Sequence, residues 1–210
     1  MAKRNTKEII LFEALKLFSD RGYEGVTMRD IASEVGIMQS SLYKHYESKQ
    51  AIFDCLVEKM KSQFNDASAF FQLPMKPVKE MAKEYADRGN NFLMKLSISL
   101  FRYYLNDPHA TQFRKMLSIE RYSKPEADKI YREIYIDAAI SYQTELFNEM
   151  IQQGYMQQAD PEAMALQFYS PIYLLQSKYV SIPEREDEAI VLLGKHVAQF
   201  SRTYEKRKNQ

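Results

Sequence analysis

The chain has only six glycines and seven prolines in 210 residues, and most of them fall where an apolar helical periodicity stops. Such sparse punctuation favours long uninterrupted helices over many short strands and turns. The first periodic stretch runs from Thr6 to Arg21, with Ile10, Leu11, Ala14, Leu17 and Phe18 on one face, and stops at Gly22. Thr27 and Asp30 have capping-box spacing and open a short helix that ends at Gly36. A third helix is expected over Gln39–His45 and a fourth from Ser48 to Phe70, broken by the two prolines of Gln72–Pro77. Further stretches are expected at 78–105, after an Asn106-Asp107-Pro108 turn through Met116, and from a second capping-box pattern at Ser123-Lys-Pro-Glu126 to Gly154. Two more are expected after Asp160-Pro161, with Asp160 as cap, and over 186–207, where the basic tail Lys206-Arg207-Lys208 is expected to be a frayed end. The spacing therefore predicts an all-α protein of about nine helices, with no convincing strand.

Composition narrows the class. Apolar residues make up 45% and charged residues 27%, the balance of a globular protein rather than a disordered one. No apolar run is long enough for a signal peptide or a membrane span, and one cysteine, Cys55, excludes an internal disulfide or a multi-cysteine zinc site. A reducing cytoplasm without membrane contact is expected, with Cys55 an inert core residue. His109 and His196 lack neighbours at metal-ligand spacing, so neither metal nor cofactor is expected. A phosphate-cradling glycine loop and a nucleophile–base pairing are also lacking, which leaves little for an enzyme to work with.

Residues 27–49 read TMRDIASEVGIMQSSLYKHYESK. A small side chain at Ala32 lets two helices cross closely, and Gly36 tolerates the positive φ of a sharp turn. Ile31, Val35, Ile37 and Leu42 supply a small core to pin the second helix. These positions have the spacing of a helix-turn-helix.

The wider pattern resembles the TetR family of transcriptional regulators (TetR/AcrR type). Its elements here are Ile10-Leu11, Ala14, Leu17-Phe18, Gly22-Tyr23, Thr27, Arg29-Asp30-Ile31-Ala32, Gly36-Ile37, Leu42-Tyr43, His45-Tyr46 and Ser48-Lys49. The resemblance covers about the first quarter of the chain. It implies a three-helix DNA-binding domain over 1–48 and a helical ligand-binding and dimerisation domain over 49–210. It also implies that Gln39 and Ser40 face base edges and that Tyr43 and Lys49 contact phosphates. Thr27 and Ser48 stand at helix N-termini, where amides favour a phosphate, and Lys44 and His45 are further backbone contacts. Met38 stands where the family often has a capping Ser or Thr. Either Gln39 or Ser40 caps instead, or Met38 touches a thymine methyl.

The remaining expectations concern the C-terminal part. Tyrosine hydroxyls need partners, so a core built for packing alone would favour Leu and Phe. The many tyrosines and methionines suit a pocket for a flat, moderately apolar effector. Its candidate lining is Phe101, Tyr104, Phe113 and Met116, with Tyr131, Tyr135, Tyr169 and Tyr173. Helical stripes in the last two helices suggest a homodimer interface: Phe168, Ile172, Leu175 and Tyr179 in one, Leu193, Val197, Phe200 and Tyr204 in the other. The function expected by resemblance is a homodimeric repressor that binds an inverted repeat in double-stranded DNA and is released by a small molecule. Against it stands a nearly neutral head: residues 1–50 hold eight Lys/Arg and seven Asp/Glu, within a chain of net charge +1. That balance suits a protein-binding adaptor whose helix-turn-helix no longer reads DNA.

Overall fold

Helix boundaries fall where particular residues require them. The computed structural model describes residues 5–70 and 77–206, with side chains from 63 to 70 excluded. The helices are α1 (Thr6–Arg21), α2 (Met28–Val35), α3 (Gln39–Tyr43), α4 (Lys49–Phe70), α5 (Val78–Arg88) and α6 (Asn90–Asn106). They continue with α7 (Pro108–Glu120), α8 (Pro125–Arg132), a π turn (Glu133–Asp137), α9 (Ala138–Gln152), α10 (Pro161–Tyr179) and α11 (Glu186–Tyr204). Since α8, the π turn and α9 follow without a break, ten helical rods stand among the described residues, and no strand. The all-α expectation holds. The proline break falls outside the described residues apart from Pro77, and the basic tail does so beyond Lys206.

Nine expected helices become ten at Gly89. Its φ of 57° and ψ of −144° end α5, and its carbonyl accepts the Phe92 amide to begin α6. The expected capping box at Ser123 does not form either. Proline favours the first helical position, so α8 begins at Pro125, and the Ser123 hydroxyl donates to the Glu120 carbonyl instead. Asp160 caps α10 as expected, accepting the Ala163 amide at 2.8 Å, and α10 runs on through Pro171.

Contacts group the chain into two compact units. The first comprises Met1–Ala67 and Pro108–Arg132. Here α7 packs along α1, α1 packs on α2, and the first part of α4 closes the core. Phe18, Tyr23 and Phe53 meet with ring centroids 5.4 to 6.4 Å apart, and Phe113, Met116 and Leu117 of α7 are fully buried in the same unit. Cys55 is half-buried, its Sγ 3.8 Å from the Tyr46 hydroxyl.

The second unit comprises Ser68–Asp107 and Glu133–Gln210. Phe147, Phe168 and Phe200 form its aromatic centre, with centroids 4.8 to 5.6 Å apart. His196 serves locally, its Nε2 2.8 Å from the Phe168 carbonyl. Glu186 clasps α11 to α6 through Arg102 and Asn106. The Asn106 hydrogen bond, aided by Arg102, holds its carboxyl below the usual range.

Candidate nucleic-acid interface

The site is built on the α1–α2–α3 corner. Thr27 caps α2 in full: its hydroxyl oxygen accepts the Asp30 amide at 3.2 Å, and the Asp30 carboxylate accepts the Thr27 amide at 2.8 Å. Hydrogen bonding by the Thr27 side chain, then by its backbone, lowers the Asp30 pKa. Gly36 ends α2 in the left-handed region, at φ 73° and ψ 36°, and the Ile37 amide returns to the Ala32 carbonyl. Ala32, Ile31 and Leu42 are buried at the crossing, whereas Val35 and Ile37 are half-buried. Val26, Met28 and Tyr46 complete the small core.

This corner turns one face outward. Thr27, Met38, Gln39, Ser40, Tyr43 and Lys44 are exposed, and His45, Ser48 and Lys49 are partly so. Met38 takes the N-cap position of α3 without a side-chain cap bond, and 74% of its surface is open. Neither Gln39 nor Ser40 caps the helix, since both lie within its first turn. The Thr27 hydroxyl donates to Asp30 at 2.6 Å, so its hydrogen is already engaged. Ser48 accepts the Ala51 amide at 3.1 Å and starts α4. Lys49 bends toward the α1–α2 turn, its Nζ donating to the Tyr23 carbonyl at 2.7 Å. Sequence reasoning had no signal for the surroundings of Tyr23: its amide donates to Glu120, 97 positions away, at 2.7 Å.

The expected effector lining divides. Phe113, Met116 and Tyr131 belong to the first unit and are buried there. Phe101, Tyr104, Tyr135, Tyr169 and Tyr173 belong to the second. Four of these meet around the π turn: Tyr104 and Tyr135 have centroids 5.6 Å apart, the Tyr169 hydroxyl donates to the Tyr135 carbonyl at 2.6 Å, and Tyr173 lies beside Tyr169.

The residues expected at a dimer interface lie within the single chain's own core. Phe168, Ile172, Leu175, Tyr179, Leu193, Val197 and Phe200 are at most 7% exposed in the single chain, and Tyr204 is half-buried with its hydroxyl on Gln167. Side chains already inside their own core have little surface left for a partner. The outward sides of α10 and α11 carry other apolar residues: Leu166, Leu174, Val191 and Leu192, which are 39 to 65% exposed.

An all-α body bearing a capped helix-turn-helix defines the class of helix-turn-helix proteins. Residues 10–56 match the family described as "Bacterial regulatory proteins, tetR family". The chain is 42% identical over 60 residues to the biofilm operon icaADBC HTH-type negative transcriptional regulator IcaR of Staphylococcus epidermidis. That match covers 29% of this chain and 32% of IcaR, so the chain spans about a third of the curated relative's length. Two solved structures share the fold. A tetR-family bacterial regulatory protein from Rhodococcus RHA1 aligns with a TM-score of 0.64 and 17% identity, over 98% of this chain and 100% of that one. The regulator FadR from Bacillus subtilis, in complex with stearoyl-CoA, aligns with a TM-score of 0.63 and 16% identity, over 92% of this chain and 97% of that one. The likeness to the TetR family is thus carried by residues 10–56, and the fold of the whole chain is shared with solved members. Among the described residues no helix is long and apolar enough to cross a membrane.

Proposed function

We propose that this protein is a sequence-specific DNA-binding repressor. The observation that carries the reading is the capped helix pair with Met38, Gln39, Ser40 and Tyr43 exposed on one outer face. Gln39 has the donor and acceptor needed to pair with adenine, and Met38 has the apolar tip needed for a thymine methyl. Tyr43, Lys44, His45, Ser48 and Lys49 contact phosphates around it. The negative regulator IcaR, similar over this same segment, supports repression.

The regulator acts as a homodimer through the outward faces of α10 and α11, with Leu166, Leu174, Val191 and Leu192 at the seam. Two heads about 34–36 Å apart then read successive major grooves of an inverted repeat. A small, flat, moderately apolar effector binds in the helical body beside Tyr104, Tyr135, Tyr169 and Tyr173. The stearoyl-CoA complex of the similarly folded FadR supports an effector of small-molecule class. By favouring one tilt of α4, the effector alters the head spacing, and a coupling of about 1–3 kcal/mol suffices for a switch.

The test is selection of bound sequences from a random duplex pool by purified protein at stated salt. Enrichment of one inverted repeat supports the reading. Failure of the ligand-free protein to enrich any sequence points to a protein-binding adaptor, or to a regulator that grips DNA only with its effector bound.

A further inference from the structure

Around Tyr23, two lysines from distant parts of the chain converge on one aromatic ring. Lys49, at the start of α4, places its Nζ 4.0 Å from the ring centroid. Lys124, from the corner between α7 and α8, places its Nζ 3.2 Å from the same centroid. Like charges this close need an anion beside them. The Glu24 carboxylate supplies it, with Oε1 3.3 Å from Lys124 and Oε2 3.9 Å from Lys49. A second carboxylate lies beneath: Glu120 accepts the Tyr23 amide through Oε1 and pairs with Lys124 through Oε2 at 3.5 Å.

The two acids differ in how firmly they are held. The Glu120 side chain is 5% exposed and fixed by a backbone amide, whereas that of Glu24 is 80% exposed. An exposed ion pair contributes little and opens readily. When Glu24 swings into water, Lys49, Lys124 and Glu120 remain with a net charge of +1. That leaves two ammonium groups on an aromatic platform, set to be bridged by two oxygens of one anion.

We propose that Lys124 is a DNA phosphate contact outside the helix-turn-helix, acting with Lys49, and that Glu24 is an internal stand-in for that phosphate which DNA must displace. The inference rests on the DNA-binding reading above. It adds a residue from the α7–α8 corner to the interface and an autoinhibitory carboxylate to the α1–α2 turn. All the groups lie in the first unit. The cluster also gives a nearly neutral head a local cationic spot that DNA itself uncovers.

The probe is a fluorescein-labelled duplex enriched by the wild-type protein, titrated at several KCl concentrations. Each phosphate contact adds about 0.9 to the slope of log affinity against log salt. Lys124→Met, which keeps the aliphatic stem over Tyr23, is expected to weaken binding roughly three- to ten-fold and lower that slope by about 0.9. Lys124→Arg retains the slope, and Glu24→Gln tightens binding several-fold by removing the competitor. Thermal melting checks the fold, and Tyr43→Ala serves as a control for DNA reading. A folded Lys124→Met with wild-type affinity and slope overturns the proposal while leaving the DNA reading intact. Unchanged affinity in Glu24→Gln does the same, and this solvent-exposed variant decides the matter should Lys124→Met fail to fold. If the wild type binds no duplex, both readings fall together.

Discussion

Tyr43 and Thr27 sit a short distance apart in the chain yet have different work, and substitution separates them. Tyr43 is 49% exposed, so truncation removes little packing, and a surface change of this kind usually shifts stability by no more than about 0.5 kcal/mol. Tyr43→Ala is therefore expected to keep the melting temperature and lose operator affinity, read by melting and by DNA titration on one preparation. Thr27→Ala removes the cap of α2 and is expected to cost about 1 kcal/mol in urea unfolding. Its partner Asp30 gives that cap a pH dependence. The folded carboxyl lies below its ordinary value of 3.8, chiefly through the Thr27 hydroxyl. A depressed carboxyl stabilises above the ordinary value, and that gain is lost as pH falls through the folded one. The urea-midpoint advantage of wild type over Asp30→Ala should be full at neutral pH and shrink below about pH 4. An advantage that persists undiminished at pH 2 would show that the capping carboxylate is not its source.

At the scale of elements, the chain announces its helices through what stops them. Gly22, Gly36, Pro108 and the Asp160-Pro161 pair each mark a real end, because each combines a backbone requirement with a loss of apolar spacing. Gly89 gave no such signal. The residues around it keep an apolar rhythm, with Met81, Tyr85, Phe92 and Leu93 all buried, so a change of helix direction left the pattern nearly intact. The stripes of α10 and α11 show a related physical limit. Periodicity identifies an apolar stripe but not what covers it, and the strongest stripes of α10 and α11 go to the chain's own core. The weaker outward set looked like ordinary surface. Within the reading head the turn at Gly36 can be tested cleanly, since a Cβ there meets nothing within 4 Å. Gly36→Ala carries only the left-handed backbone penalty, expected at about 1–2 kcal/mol in urea unfolding, and Gly36→Asn should recover part of it. Equal stability of all three proteins would mean that the turn has another way to close.

At the scale of the whole molecule, assembly and packing make separate demands. Leu174 and Val191 are 65% and 57% exposed, so charging both should leave the protomer folded. Leu174→Glu with Val191→Glu is expected to sediment as a monomer with unchanged helical content. Losing bivalent grip should weaken inverted-repeat binding by roughly 100-fold or more. A variant that still sediments as a dimer places the seam elsewhere. The first unit is also discontinuous: α1 to α4 are completed by α7 and α8, after an excursion through residues 68–107. Closing contacts across such a separation carries a loop-entropy cost that local pairing avoids. That has a bearing on manufacture. A polypeptide emerging from the ribosome has the whole reading motif outside long before it has the residues that brace it, because the bracing segment ends at Arg132. A nascent chain, or a fragment cut after Ala67, would carry a recognisable DNA-reading sequence on an unfinished body. The motif is readable as a cassette, yet the unit that holds it is completed by α7 and α8.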